Sequence, residues 1–208
     1  MLDIPNADRR TRQREQTRRE ILDAAWEVAR SAGLTGLTLR DVADRVGMRA
    51  PSLYSHFDSK HAIYDAMFGE AWTQFEELTS VEKAHLTDDP RDAAHRIART
   101  FFDFAVADPA RYQLMNQRTI PGFEPSAENY APAVRVLEGV FAIAAERGVA
   151  DRDDVTILLA TIGGLIDQQL ANEPGGERFS HLLPRAVDMW ADAAARPKPD
   201  TPRRRRTP

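Results

Sequence analysis

The chain has 208 residues, of which 42% are hydrophobic and 29% charged, enough for one or two domains with a buried core and too apolar for bulk disorder. It contains no cysteine, which excludes disulfides, thiolate catalysis, Cys-ligated zinc and iron–sulfur clusters. The net charge of −4 hides a segregation: residues 1–60 carry 11 Lys+Arg against 9 Asp+Glu, residues 61–196 carry 12 against 22, and residues 197–208 carry 5 against 1.

Arg9, Arg10, Arg12, Arg14, Arg18 and Arg19 gather near the start. Such a cluster either follows a polyphosphate backbone or forms a solvated arm, and charge alone does not choose between them. Met1 to Arg10 holds no apolar run, and Val155 to Ile166, the most apolar stretch, is too short to span a bilayer. The expectation is a soluble cytoplasmic protein with no membrane partner.

No stretch alternates with a period of two, so the reading is all-α, with about nine helices. Residues 1–14 are expected to be a disordered basic arm. From Thr17 to Ala32, Ile21, Ala25, Val28 and Ala32 mark one helix face, and Gly33 ends it. Thr38 is placed as the N-cap of a short helix through Val46, with Asp41 at the capping-box position. A second short helix is expected from Ala50 to Phe57. Asp58 or Ser59 then caps a long helix carrying Ile63, Met67, Ala71, Phe75 and Leu78. After Asp88-Asp89-Pro90 comes a helix with Ile97, Phe101, Phe104 and Ala105, and Asp108-Pro109 opens a shorter one with Tyr112 and Met115. Later helices are expected over Glu128–Arg147, Asp151–Asn172 and Glu177–Ala195. The tail, residues 197–208, holds four prolines and the run Arg203–Arg206 and is expected to be disordered; its arginines either add non-specific DNA affinity or are merely solvated.

The informative stretch is Leu37 to Lys60. Two short helices around Gly47-Met48-Arg49 make a helix-turn-helix. Gly47 tolerates the left-handed turn, and Pro51 suits the first turn of the second helix. The outward positions Ala50, Ser52, Ser55 and His56 are small or polar, and Leu53 and Phe57 face inward, as a major-groove helix requires. Tyr54, His56 and Lys60 suit phosphate oxygens, and Thr38 suits them through its hydroxyl and helix N-terminus. Arg40 and Arg49 are long enough to grip a guanine edge bidentately. The competing reading is a three-helix bundle that only supports the body.

Residues 15–65 resemble the N-terminal DNA-binding domain of the TetR family of bacterial transcriptional regulators. The resemblance rests on Ile21, Leu22, Ala24, Ala25 and Gly33, on Leu37-Thr38-Leu39-Arg40-Asp41-Val42-Ala43, on Val46-Gly47, and most specifically on Leu53-Tyr54-Ser55-His56-Phe57-Asp58-Ser59-Lys60. It implies a DNA-binding domain over residues 15–60 and a helical ligand-binding and dimerisation domain over residues 61–196. It also implies a homodimer whose recognition helices enter successive major grooves of a palindromic operator. By the resemblance, Thr38 and Arg40 match the first DNA-contacting helix, Arg49, Ala50, Pro51 and Ser52 the start of the recognition helix, and Tyr54, His56 and Lys60 the phosphate-contacting positions. Ala50 departs from the pattern, standing where many relatives carry a polar side chain. That shifts base discrimination towards Arg40, Arg49 and Ser52.

In the body, Trp72, Phe75, Phe101, Phe104, Tyr112 and Met115 either form ordinary core or line a cavity for a hydrophobic small molecule, with Gln168 among the polar groups available to orient it. Asp167 lies either in that pocket or on the surface. Ile157, Leu158, Thr161 and Leu165 on one helix, with Leu183, Val187 and Trp190 on the last, are expected to form a four-helix dimer interface; the alternative is that they pack within one subunit. No cofactor or metal is expected. The five histidines form no His-x-x-x-His pair, and no Gly-x-Ser-x-Gly or phosphate loop occurs, so catalysis is not expected. The functional expectation is a repressor released by a ligand, with a constitutive or architectural DNA binder as the alternative.

Overall fold

Local caps punctuate the chain into helices. In the computed structural model, which describes residues 4–196, nine α-helices and one short 3-10 helix follow one another and no strand forms among the described residues. α1 (Ile4–Ala32) ends at Gly33, whose φ of 78° is cheap only for glycine. α2 (Leu39–Val46) begins at Thr38, whose hydroxyl accepts the Asp41 N–H at 3.1 Å, and stops at left-handed Gly47. α3 (Ala50–Leu53) carries Pro51 in its first turn. α4 (Lys60–Lys83) is capped by Ser59, which accepts the Ala62 N–H. α5 (Pro90–Ala107) and α6 (Pro109–Asn116) start on Asp89 and Asp108, each followed by proline. α7 (Ala127–Glu146), α8 (Arg152–Asn172), a 3-10 turn at Ser180–Leu182 and α9 (Leu183–Ala194) complete the order.

Three boundaries differ from expectation. Residues 4–14, expected to be a disordered arm, are the first turns of α1. Their arginines and Gln13 are good helix formers, and just beyond them Gln16 bonds Glu20 one turn on at 3.1 Å, a local pair that needs no core. The recognition helix is one turn long, because after Leu53 the chain tightens: the Ser55 and His56 N–H groups bond to carbonyls three residues back. The last helix begins at Leu183 and not near Glu177, with Pro184 in its first turn. Residues 197–208, the expected disordered tail, lie outside the described residues.

Two cores form. One joins α1, α2, α3 and α4 through residues such as Ile21, Leu37, Leu53, Ile63 and Tyr64, and it also takes Ala110, Leu114 and Met115 of α6. The other joins α5, α8 and α9 through Phe102, Ile162, Ile166 and Val187, and takes Tyr112 of the same α6. One short helix therefore has a face in each core.

Two polar devices fix the body. Asp65 of α4 accepts the Ser126 N–H and the Asn129 side-chain amide, both at 2.7 Å, and so anchors the start of α7. Gly69 lets this contact close, since a Cβ there would strike Asn129. Gln169, almost fully buried on α8, accepts from the Phe179 and Ser180 N–H groups and donates to the Glu173 and Gly176 carbonyls, satisfying the loop before α9.

Candidate nucleic-acid interface and ligand cleft

The exposed side of α2 and α3 holds most of the predicted DNA contacts. Arg40 is exposed, with only Asp44 at 3.9 Å beside it, a weak exposed pair. Arg49, Pro51 and Ser52 are exposed on and before α3, and Tyr54 is 56% exposed. Thr38 does more than cap: its hydroxyl also donates to Asp41 Oδ2 at 2.6 Å. Lys60 donates to the Leu37 carbonyl at 3.1 Å, which ties the start of α4 to the residue before Thr38. Ala50 is half-buried against the first core, so little of its methyl faces outward. His56 is half-buried and its Nδ1 is buried without a partner, leaving Nε2 as the nitrogen available to an outside group.

Sequence reasoning missed how α3 is held. Arg14 and Arg18 of α1 donate to the carbonyls of Ser55 and His56, and the Arg18 guanidinium lies 4.0 Å over the Phe57 ring. Two arginines of the N-terminal cluster thus brace the back end of the recognition turn. Their spacing of four in the sequence, on the polar side of a helix, was the available signal.

A cleft with room for about 600 Å³ opens between α4, α7 and α8, floored by α5 and α6. α4 supplies Phe68, Trp72 and Phe75 at one- and two-turn steps, α5 supplies Phe101, and α6 supplies Tyr112, Met115 and Asn116. α7 contributes Tyr130, Ala133, Leu137 and Val140, again one face, and α8 contributes Ala160, Gly163, Gly164 and Asp167. The rings interlock: Phe68 stacks on Tyr130 at 6.0 Å, and Phe75 meets Phe101 at 5.4 Å. Five of the predicted pocket residues line this cleft. Phe104 does not; it sits behind Phe75, at 4.8 Å, under the Arg111 guanidinium. Gln168 does not either; it is exposed and bonds Asn172.

The polar end of the cleft is Asp167. Its Oδ1 accepts the Tyr112 hydroxyl at 3.0 Å and the Gln117 amide at 2.9 Å. Burial, and then the neighbouring Asp167 carboxylate, push the Tyr112 phenol well above its ordinary value, so it stays a neutral donor. Nearby, the Trp72 indole N–H is buried with no acceptor.

A second polar junction ties α6 to α1. Asp108, 7% exposed, caps α6 through its Oδ1 and holds Arg30 through its Oδ2 at 2.9 Å from Nε and 2.8 Å from the terminal nitrogen. Trp26 and Glu70 (2.8 Å) and the Tyr64 hydroxyl on the Leu34 carbonyl add further links between α1, its following loop and α4.

Of the residues expected to pair two subunits, Leu158, Leu183 and Val187 are buried inside this chain's second core and offer no outer face. Leu165 and Trp190 are half-buried against the same core, with the Trp190 indole donating to the Asp154 carbonyl at 2.7 Å. Ile157 (59% exposed) and Thr161 do face outward on α8, and so does Met189 (63% exposed) on α9. Glu82 and His85 stand three apart at the end of α4, but Glu82 is paired with Arg96 at 2.9 Å, and no metal-binding group of three or more side chains gathers among the described residues. No helix among the described residues is long and apolar enough to cross a membrane.

Residues 21–67 match the family model for bacterial regulatory proteins of the tetR family, and residues 94–201 match the tetracyclin repressor-like C-terminal domain. The tetracycline repressor protein class A from transposon 1721 of Escherichia coli is 30% identical over 187 residues, covering 83% of this chain and 80% of the relative. Among solved structures, the transcriptional regulator FadR from Bacillus subtilis, in complex with stearoyl-CoA, shares the fold at a TM-score of 0.69 and 16% identity, over 83% of this chain and 96% of that one. The multidrug binding protein EbrR, complexed with imidazole, does so at 0.60 and 22%, over 87% and 96%. With a helix-turn-helix head, an all-helical body and matches to both halves, the chain belongs to the TetR family of bacterial transcriptional regulators.

Proposed function

We propose that the chain is a repressor that binds a palindromic operator as a homodimer and leaves it when a hydrophobic small molecule enters the cleft. The observation that carries this reading is α6. Its Tyr112 and Met115 line the cleft, its Ala110, Leu114 and Met115 sit in the core of the head, and its N-cap Asp108 grips Arg30 of α1. A ligand that displaces α6 therefore shifts the equilibrium between two settings of the heads, and it shifts it by its difference in affinity for the two.

On the DNA side, Arg40, Arg49 and Ser52 are the base-reading candidates, being exposed and free of strong partners. Tyr54, Thr38, Lys60 and His56 are positioned for phosphates, Thr38 and Lys60 by exchanging an internal acceptor for an external one. For pairing, the outward residues Ile157 and Thr161 of α8 and Met189 of α9 replace the buried ones as contact candidates. On the sensing side, a buried donor without an acceptor costs about 1–3 kcal/mol, and the buried N–H of the cleft-lining Trp72 would recover that cost from a ligand acceptor that reached it. FadR and EbrR, which share the fold, were solved with stearoyl-CoA and imidazole respectively. A constitutive or architectural binder has no use for such a cleft. A regulator that works on DNA is expected in the cytoplasm.

Selection of binding fragments from genomic DNA by the purified chain tests the proposal. The expected product is an inverted repeat with half-sites about 10 bp apart or a multiple of that. Enrichment of no sequence, or of a single unrepeated one, overturns it.

A further inference from the structure

The chemistry of the cleft also selects among hydrophobic ligands, and here we infer that it takes an organic cation. This rests on the cleft being the effector site. Among the described residues that line it, Asp167 alone carries a formal charge; there is no lysine, arginine or histidine. Tyr112 and Gln117 both donate to one oxygen of Asp167, which fixes the carboxylate in place and leaves its Oδ2 without a protein donor. An anionic headgroup at this end would face a fixed negative charge with no counter-charge in the wall, and would lose its hydration for nothing. A cation finds Oδ2. It also finds aromatic rings in the wall, among them Tyr130, 49% exposed, and half-buried Trp72, whose faces attract cations and repel anions. Residues 61–196 carry 22 acidic against 12 basic side chains, so the field of the whole body draws cations in.

Two ions of the same shape and opposite charge separate this from simple hydrophobic capture. Tetraphenylphosphonium and tetraphenylborate each carry four phenyl rings, and calorimetric titration of the full chain with each reads the charge preference directly. The phosphonium is expected to bind at least about tenfold more tightly, a difference of about 1.4 kcal/mol. Asp167→Asn keeps an oxygen for Tyr112 and Gln117 and is expected to remove most of that advantage, as is Asp167→Lys, with unchanged helical circular dichroism in both. Asp167 is solvent-exposed, so neither change burdens the core. Equal binding of the two ions, tighter binding of the borate, or a phosphonium preference that survives both variants overturns the cation inference and leaves the cleft as the effector site. A third variant tests the site itself. A Cβ at Gly164 meets nothing within 4 Å, so Gly164→Trp is expected to keep the helical circular dichroism and to put its indole into the cleft that Gly164 lines. Loss of phosphonium binding there supports the site. Binding that persists, or failure of both ions to bind the wild-type chain, overturns the effector cleft and the inference with it.

Discussion

Removing the Arg30–Asp108 pair should cost more than a surface ion pair and less than a fully buried one. Asp108 is 7% exposed, while the Arg30 side chain is about half exposed. A hydrogen bond to a charged group is worth about 1.5–3 kcal/mol when buried, and exposed pairs about 0–1 kcal/mol. Half-exposure of Arg30 places the coupling between these, at about 1–2 kcal/mol. Asp108→Ala also removes the cap on α6, worth about 1 kcal/mol, so it should cost about 2–3 kcal/mol against about 1–2 for Arg30→Ala. For a chain of this size each kcal/mol lowers Tm by about 2–4 °C. The assay is a double-mutant cycle in urea at fixed protein concentration: Arg30→Ala, Asp108→Ala and both together. Because the pair joins the cleft-lining helix to the head, Arg30→Ala should also raise the ligand concentration needed to release DNA. A coupling below about 0.3 kcal/mol, with ligand release unchanged, refutes the assignment of this pair as a link between body and head.

Other outcomes follow from the same contacts. Arg40→Ala should flatten base preference at one position of each half-site, a loss of about 1–3 kcal/mol for a bidentate contact, whereas Tyr54→Phe should weaken all sequences alike; anisotropy titrations on a mismatch series separate them. Arg18→Ala should lower DNA affinity without changing base preference, because it braces the His56 carbonyl and the Phe57 ring from behind, and the same titrations read this. Gly69→Ala should destabilise by about 1–3 kcal/mol through overpacking against Asn129, measured as a drop in Tm. Burial raises the phenols of Tyr64 and Tyr112, so the folded state favours their neutral forms. Their contribution is complete below the free tyrosine value, about 10, and is lost as pH rises above it. Tyr112→Phe should therefore shallow the alkaline fall in stability.

The sequence made the local signals legible and the long-range ones less so. Thr38 and Gly33 were readable as caps, Gly47 as a turn, Asp108 as a helix start and Ser59 as one of two cap candidates with Asp58, because each acts on backbone groups within a few residues. The recognition turn was found but drawn too long, since whether Tyr54 to His56 continue as helix depends on the bracing from Arg14 and Arg18, more than thirty residues away. Arg14 fell in the expected arm and Arg18 in the expected helix, and their charge left phosphate contact and solvation open, because a run of charge looks the same whichever surface it faces. Five aromatic and sulfur-bearing residues of the cleft were legible from spacing, while Asp167 was not, because its role is set by Tyr112 of α6 and by Gln117 just after that helix. Leu158, Leu183 and Val187 show the limit of periodicity. It marks an apolar face, but only packing shows whether the chain's own helices or a second subunit cover it.

Hydrogen exchange of the full chain, with and without its selected DNA duplex, tests most directly the claim that the outer side of α2 and α3 reads DNA. Slowed exchange concentrated in residues 38–60 is expected when the duplex is present. Unchanged exchange there, with protection on another face such as the exposed side of α7 and α8, contradicts it.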